Sequence, residues 1–330
     1  MASNTGILPA EHWATHEGYH SGPDSESATT SLAESVYNYR TLHGRTYHSD
    51  RGEDQQYWGA NDNRQSESLD INHHCSTLAL GGKLFLAPLE KGKVKHALDV
   101  GTGTGIWAID FAAEFPDTQV IGTDLSPIQP TWIPPNLKFE IDDFNLPWTF
   151  PPNQFDFIHF RWLIGTTSDW DTFFARAFET TKPGGWVESY EMSAIIESDD
   201  GSITDQHALG QWGKIFIEGG QKIGRSFRVV QDELQKKAMQ AAGFVDIQEK
   251  NIKMPIGTWP ADKDLKEMGM FAQATLESDP EGYILFMTST LGWSREEVLA
   301  YISVLRKETR MRELHPYYRQ KVVWGRKPAA

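Results

Sequence analysis

Between His96 and Glu191 short apolar runs alternate with stretches of helical periodicity, and that alternation restricts the fold of this chain more than any other feature. The runs are HALDV, TQVIGTD, LKFEI, FDFIHF and GGWVESYE, with GIWAIDFAAEF and DWDTFFARAFETT among the segments between them. Apolar runs this short read as buried strands, and helices between successive strands are the right-handed crossovers of a parallel sheet. In an open sheet of that kind, ligands sit beyond the C-terminal ends of the strands. The residues that follow each run are therefore the candidate functional residues.

The first run ends in an acid and passes into a glycine turn, with Asp99, Gly101, Thr102, Gly103 and Gly105 in LDVGTGTG. Glycine enters where the backbone takes positive φ or must be approached closely. A dinucleotide fingerprint would put its third glycine where Ile106 stands, and a phosphate loop would continue into Lys-Ser or Lys-Thr. Neither pattern is met, which leaves DxGxGxG. Asp124 closes the second run, at close to the offset of about 20 residues at which an acid in such folds takes the ribose. Two acceptor oxygens suit a cis-diol and disfavour a phosphorylated ribose, so the pattern predicts a nucleoside. Asp142 and Asp143 follow the third run, His159 to Trp162 the fourth, and Tyr190 and Glu191 the fifth. Each also has a structural reading. A glycine turn joins strand to helix in many α/β folds, Asp142 can open a turn before Asn145 and Pro147, and His159 inside an apolar strand reads as a packed core histidine.

Composition narrows the partners. With 45 acidic and 31 basic residues the formal charge is −14, which repels nucleic-acid phosphates and anionic membrane surfaces. Lys91, Lys93 and Lys95 read as a solvated linker and form no basic patch. Cys75 is the single cysteine, so no intramolecular disulfide forms and a reducing compartment is expected: the cytoplasm, with the nucleus as the alternative. No signal peptide or apolar stretch of membrane-spanning length is evident, so no membrane partner is expected. His73, His74 and Cys75 invite a metal reading, but neighbours on a helix point about 100° apart and no second pair has ligand spacing, so no metal is expected. Most of the 12 tryptophans are expected in the core.

Around the alternating segment the chain changes character. Residues 1–30 are polar, with few aliphatics, and are expected to be a disordered tail. Residues 31–95 are expected to form a helical cap, with Leu69, His73, Leu78, Leu80 and Leu84 loosely periodic until Pro88 stops the helix. After residues 96–191, the region 192–330 reads as longer helices and last strands on the substrate side. Ser294 and Glu297 make a capping box ahead of the stripe Val298, Tyr301, Ile302 and Leu305. Gly243 ends a helix before the strand FVDIQEKNIKM, and YYRQKVVWGRKP reads as the final strand. No internal repeat or linker divides the chain, so residues 31–330 are expected to form one domain.

The segments LDVGTGTGIWAIDFA, VIGTDLSP, IDDFNLPW, FDFIHFRWL and TKPGGWVE resemble, in order and spacing, the sequential motifs of class I S-adenosylmethionine-dependent methyltransferases. The flanks YNYRTLHGRTYH, LDINHH, LALGGKLFLAPL, LGWSREEV and GRKP further resemble the LaeA-like methyltransferases of filamentous fungi. The resemblance implies an α/β, Rossmann-like, doubly wound and mostly parallel sheet of seven strands. It implies S-adenosyl-L-methionine as cofactor and S-adenosyl-L-homocysteine as product. By position, Gly101 to Gly105 would pass under the methionine half, Asp124 would hold the ribose and Leu125 would pack on the adenine. Asp142 would accept from the adenine amine, with the Asp143 N–H on a ring nitrogen and Phe144 beside it. Tyr47 and His48 are the lid candidates, and Arg161 would pair with the cofactor carboxylate or with an acid of the sheet rim.

A sulfonium methyl is already activated, so transfer mainly requires an aligned and desolvated acceptor. If a base takes part, Glu191 and Tyr190 rank ahead of His207. The leading expectation is methyl transfer to oxygen or nitrogen of a small secondary-metabolite-type acceptor. A LaeA-type regulator acting through protein partners is the first alternative. A cofactor-binding scaffold or non-methylating catalyst is the second.

Overall fold

The computed structural model describes residues 6–14, 37–48 and 57–329. In chain order the elements are α1 (Glu11–Ala14), β1 (Arg40–Leu42), β2 (Arg45–Tyr47), α2 (Asn63–Ala79), β3 (His96–Val100), α3 (Ile106–Glu114), β4 (Gln119–Asp124), β5 (Leu137–Ile141), β6 (Phe155–Arg161), α4 (Trp170–Thr180), β7 (Thr181–Glu197), α5 (Ala208–Lys222), α6 (Leu234–Ala242), β8 (Val245–Pro255), α7 (Lys263–Ser278), α8 (Pro280–Thr290), α9 (Arg295–Glu308) and β9 (Tyr317–Arg326). Residue contacts group the chain into two compact units, each drawn from separated segments. One comprises Met1–Asn72, Ala194–Phe227 and Met254–Tyr318; the other His73–Ser193, Arg228–Lys253 and Arg319–Ala330.

The second unit carries most of a seven-stranded sheet in the order β5-β4-β3-β6-β7-β9-β8. The five expected runs are β3 to β7, and every pair among them is parallel. Strand β9 runs against β7, since Gly184 N–H donates to Lys327 O and Lys327 N–H to Gly185 O while Tyr190 meets Gln320 further along. The mostly parallel, doubly wound sheet expected from the sequence is thus present. Strand order reverses around β3, whose neighbours are β4 and β6, so the turn after β3 opens at the switch point of the sheet.

Helix α3 forms because Trp107, Ala108, Phe111 and Ala112 fall on one face, all buried. Phe111 stacks on Phe115 at 4.4 Å and Trp107 on Phe111 at 4.9 Å, with Phe157 of β6 close by. Each such ring, fully buried, contributes about 1.5–3 kcal/mol. Helix α4 packs against α6, capped by Asp169, whose carboxylate accepts from Thr172 N–H at 2.9 Å.

In the first unit, α8 is buried along most of its length, and Asp279 caps its first turn through Gly282 N–H. Arg45 bridges Asp62 and Asp279 with two ion pairs of 2.6 Å. Glu308 accepts from the N–H groups of Ala208 and Leu209, both at 2.9 Å, which places a carboxylate at the positive end of α5. The expected capping box is formed, with Ser294 Oγ accepting from Glu297 N–H and Glu297 accepting from Ser294 N–H.

Two expectations for residues 31–95 are corrected. The segment RTLHGRTY is a hairpin, β1 and β2 joined through His43 and Gly44, both with positive φ, the turn that suits the twist of paired strands. Helix α2 stops at Ala79 rather than near Pro88, because Gly82 N–H reaches back to Thr77 O at 2.9 Å in a glycine-closed end. Within the stretch expected to be a disordered tail, residues 6–14 are ordered by contacts inside their own unit. Leu8 N–H donates to Gln211 at 3.0 Å, and Trp13 packs edge-on to Tyr301 at 5.1 Å. The rest of that stretch, and residues 49–56, lie outside the described residues.

Candidate active site

Where β3 ends, the chain turns through three left-handed glycines, Gly101 at φ 67°, Gly103 at φ 58° and Gly105 at φ 80°. A side chain at Gly105 would overlap the Phe139 ring of β5, so the glycine there serves packing, as the third glycine of a fingerprint does. At Gly103 a Cβ would meet nothing within 4 Å, and the turn presents bare backbone to open space. Leu163 leans over Gly101, its Cδ2 lying 2.7 Å from where a Cβ would be.

Side chains hold the turn from both sides. Thr102 donates its N–H to Thr123 O at 2.8 Å and its hydroxyl to Asp99 Oδ2 at 2.6 Å. The other oxygen of Asp99 accepts from His159 Nδ1 at 2.7 Å. His159 is fully buried and stacks on Trp107 at 3.6 Å, and burial lowers its pKa, so the ring is neutral with its proton on Nδ1. It is the packed core histidine expected from its strand. From the side of β4, Asp124 Oδ2 accepts from Gly103 N–H at 2.8 Å and Oδ1 from Ser126 N–H at 3.0 Å. Desolvation pushes the Asp124 carboxyl up to about 6, and the backbone donors and the nearby Asp99 set the remainder. Each carboxylate oxygen keeps a further lone pair for a ligand hydroxyl.

Beyond β5, Asp142 N–H donates to Asp124 O at 3.0 Å, which ties the two acids together. Burial raises the pKa of Asp142. The Asp143 N–H, expected to face an adenine nitrogen, instead donates to Asp142 Oδ1 at 2.9 Å, because a short acidic side chain closes on the next backbone donor. Asp143 Oδ1 accepts from Asn145 N–H, while its buried Oδ2 has no partner among the described residues. Phe144 is buried and packs edge-on to Phe173 at 5.3 Å, and Leu125 is half-buried after β4.

On the opposite side of the turn, Phe160 of β6 pairs with Val100, so Arg161 and Gly101 are the next residues of adjacent strands. Arg161 donates through Nη2 to His73 Nδ1 at 3.1 Å. It forms no ion pair among the described residues, and its desolvation lowers its pKa. The alternative of pairing with an acid of the sheet rim is therefore not what the side chain does.

Two expected catalytic groups prove to be packing groups. Glu191 is fully buried, its Oε1 accepts from Leu163 N–H at 2.9 Å, and burial lifts its carboxyl to about 8. It positions the loop after β6 and is neutral near pH 7. Tyr190 is fully buried and donates to Gln320, and its phenol is driven well above its ordinary pKa by desolvation. Neither side chain is open to an acceptor: β7 continues to Glu197, so both lie within the strand rather than at its end, and both are fully buried. Tyr47, His48 and His207 belong to the first unit. Tyr47 is buried against Phe286 at 6.0 Å, His48 Nε2 accepts from Tyr57 N–H at 3.3 Å, and His207 Nδ1 accepts from Thr204 N–H at 3.0 Å.

Sequence reasoning missed the roles of two residues of the second unit. Gln129 donates to Gly103 O at 2.6 Å, and His73 holds Arg161; Trp162, a strand-end candidate from the sequence, sits at φ 63° with its buried indole N–H unpartnered among the described residues. Only His73 left a mark in the sequence, where it was weighed as a metal ligand. No group of three or more His, Cys, Asp or Glu among the described residues is placed to hold a metal ion, and none of the described helices is long and apolar enough to cross a membrane.

A parallel sheet with a glycine turn at its switch point, an acid at the end of the next strand and an open backbone between them defines a Rossmann-like nucleoside-binding enzyme. A family model described as a methyltransferase domain matches residues 71–249, and the chain belongs to this family of S-adenosylmethionine-dependent methyltransferases. It is 35% identical to methyltransferase pytC of Aspergillus terreus over 92% of this chain and 93% of that protein. It is 32% identical to the secondary metabolism regulator LAE1 of Cochliobolus heterostrophus, over 86% of this chain and 94% of that one. A probable methyltransferase of Emericella nidulans, tdiE, is 32% identical over 81% of this chain and 83% of its own length. The LaeA-like character inferred from the flanking segments is thereby found in full-length relatives.

The residues of the second unit fit the family's cofactor. Asp124 keeps spare lone pairs of the kind a ribose diol needs, and Arg161 offers a guanidinium that forms no ion pair among the described residues.

Proposed function

We propose that the protein methylates oxygen or nitrogen of a small, secondary-metabolite-type acceptor. In this reading Gly101 to Gly105 pass under the methionine half of the cofactor, Asp124 takes the ribose hydroxyls and Leu125 packs on the adenine. Asp142 accepts from the adenine amine, Phe144 lines the same end, and Arg161 pairs with the amino-acid carboxylate. The observation that carries the reading is one glycine turn flanked by Asp124 on one strand end and on the other by Arg161, which forms no ion pair among the described residues. A diol acceptor and a carboxylate partner on either side of bare backbone match a nucleoside that bears an amino acid.

When bound, the cofactor supplies a methyl on a positive sulfur: the acceptor lone pair forms the new bond to carbon, and the carbon–sulfur pair stays on sulfur. The chain's part is to hold that carbon against the acceptor and to keep water out, for which Leu163 over Gly101 and the strained Trp162 beside it are suited. Buried Glu191 and Tyr190 are not placed to act as a base on the acceptor.

Incubation with methyl-labelled S-adenosylmethionine and an extract of the source cells tests the proposal. Label in small molecules, lost in Asp124→Ala, supports it; cofactor turnover unaffected by that substitution refutes the site. The likeness to LAE1 favours one second reading, a regulator that acts through protein partners, and label confined to protein would select it.

A further inference from the structure

Helix α2 brings His73 to the end of β6, where its two ring nitrogens are both engaged. Nδ1 meets Arg161 Nη2 at 3.1 Å, and Nε2 meets Asp110 Oδ2 of α3 at 3.0 Å. A guanidinium only donates and a carboxylate accepts, so one tautomer satisfies both contacts: neutral imidazole with its proton on Nε2. His73 is buried, whereas the Asp110 side chain is half exposed, so the chain of three runs from the surface inward. The carboxylate of Asp99, the acid that most favours the charge on Arg161, already has its oxygens engaged by Thr102 and His159.

We propose that His73, oriented by Asp110, is a positioning residue for cofactor recognition: it fixes one edge of the Arg161 guanidinium so that the other faces the amino-acid carboxylate beside Gly101. The inference rests on the reading of this turn as the cofactor site. The residue type is informative. An acid at position 73 would hold Arg161 equally well but would neutralise it, leaving less attraction for a ligand carboxylate. A neutral imidazole holds the geometry and leaves the full charge available. It also removes one side-chain degree of freedom before the ligand arrives, which raises affinity through preorganisation.

The test compares two ligands that share adenine and ribose but differ in the amino-acid half: S-adenosylhomocysteine, and 5′-methylthioadenosine, which has no carboxylate. Calorimetric titration of the full chain would be run on wild type, Arg161→Met, His73→Phe, His73→Gln and Asp110→Ala. Loss of a charge-assisted hydrogen bond predicts that Arg161→Met weakens S-adenosylhomocysteine about tenfold or more. His73→Phe should weaken it severalfold, Asp110→Ala less, and His73→Gln, which keeps an acceptor, should restore most of the loss. Binding of 5′-methylthioadenosine should be unchanged throughout, which also reports that each variant is folded.

Equal loss of both ligands in His73→Phe would make His73 a packing residue and overturn the inference, as would unchanged S-adenosylhomocysteine binding in that variant beside a loss in Arg161→Met. A wild-type protein that binds neither ligand would instead overturn the cofactor reading of the turn itself.

Discussion

Replacing Glu191 by Gln should leave the protein as stable as wild type in mild acid and make it more stable in mild alkali. Glu191 is fully buried and accepts from Leu163 N–H at 2.9 Å, with the Ile164 N–H also directed at its carboxyl. Burial moves its carboxyl from an ordinary 4.5 up to about 8. The folded pKa is the higher one, so the folded chain holds a proton that the unfolded chain releases. This group's contribution is complete below 4.5 and is lost as pH rises through 8. Within that window each pH unit removes about 1.4 kcal/mol, and the whole interval corresponds to about 5 kcal/mol. Glutamine keeps the acceptor for Leu163 and cannot ionise, so its stability has no such slope. Urea unfolding of both proteins at pH 5, 7 and 9 measures the difference. Midpoints that diverge in favour of the variant as pH rises support the argument. Profiles that stay parallel would mean that Glu191 does not carry a proton in the folded state, and the reading of it as a neutral packing group would fail. Glu188 and Asp124, raised to about 7 and about 6 by burial, give wild type and variant the same additional slope and drop out of the comparison.

Gly105→Ala places a side chain on the Phe139 ring at positive φ, and strain of that kind costs about 1–3 kcal/mol before the overlap is relieved. A thermal shift should show the loss, with partial recovery in the double variant carrying Phe139→Leu. Arg45→Met leaves the buried Asp279 with only the half-exposed Arg64, at 3.2 Å, as an ion-pair partner and should destabilise the first unit by about 2–3 kcal/mol in chemical unfolding, more than loss of an exposed pair. Ser294→Ala removes the acceptor for Glu297 N–H and should cost about 1 kcal/mol, read as a lower denaturation midpoint with unchanged slope.

The strands and the turn were legible because their determinants are local. Apolar runs of β3 to β7, the acid at the end of β4 and the glycines after β3 lie next to one another in the chain, and a two-residue or three-glycine pattern survives any arrangement of the rest. The hairpin at Arg40–Tyr47 was missed although His43 and Gly44 form its turn, because strands of three residues carry too little periodicity to separate from a helix. The end of α2 was misplaced because Pro88 outweighed the glycine pair at 81 and 82, which terminates the helix first through Thr77 O.

The sequence by itself determined which residues would stand at the ends of β3 to β6, and with them the nucleoside character of the ligand and the family. Tertiary structure alone decided what each of those side chains faces. Tyr190 and Glu191 were expected at a strand end, yet β7 runs on to Glu197, so both lie inside the strand and are buried. Arg161 could have met an acid of the rim, but α2 sets His73 against it, and His73 is 88 positions away in the chain. Spacing along a chain fixes where a residue lies on its own element, whereas burial, protonation and partnership depend on elements brought in from elsewhere, and those are properties of the packed sheet.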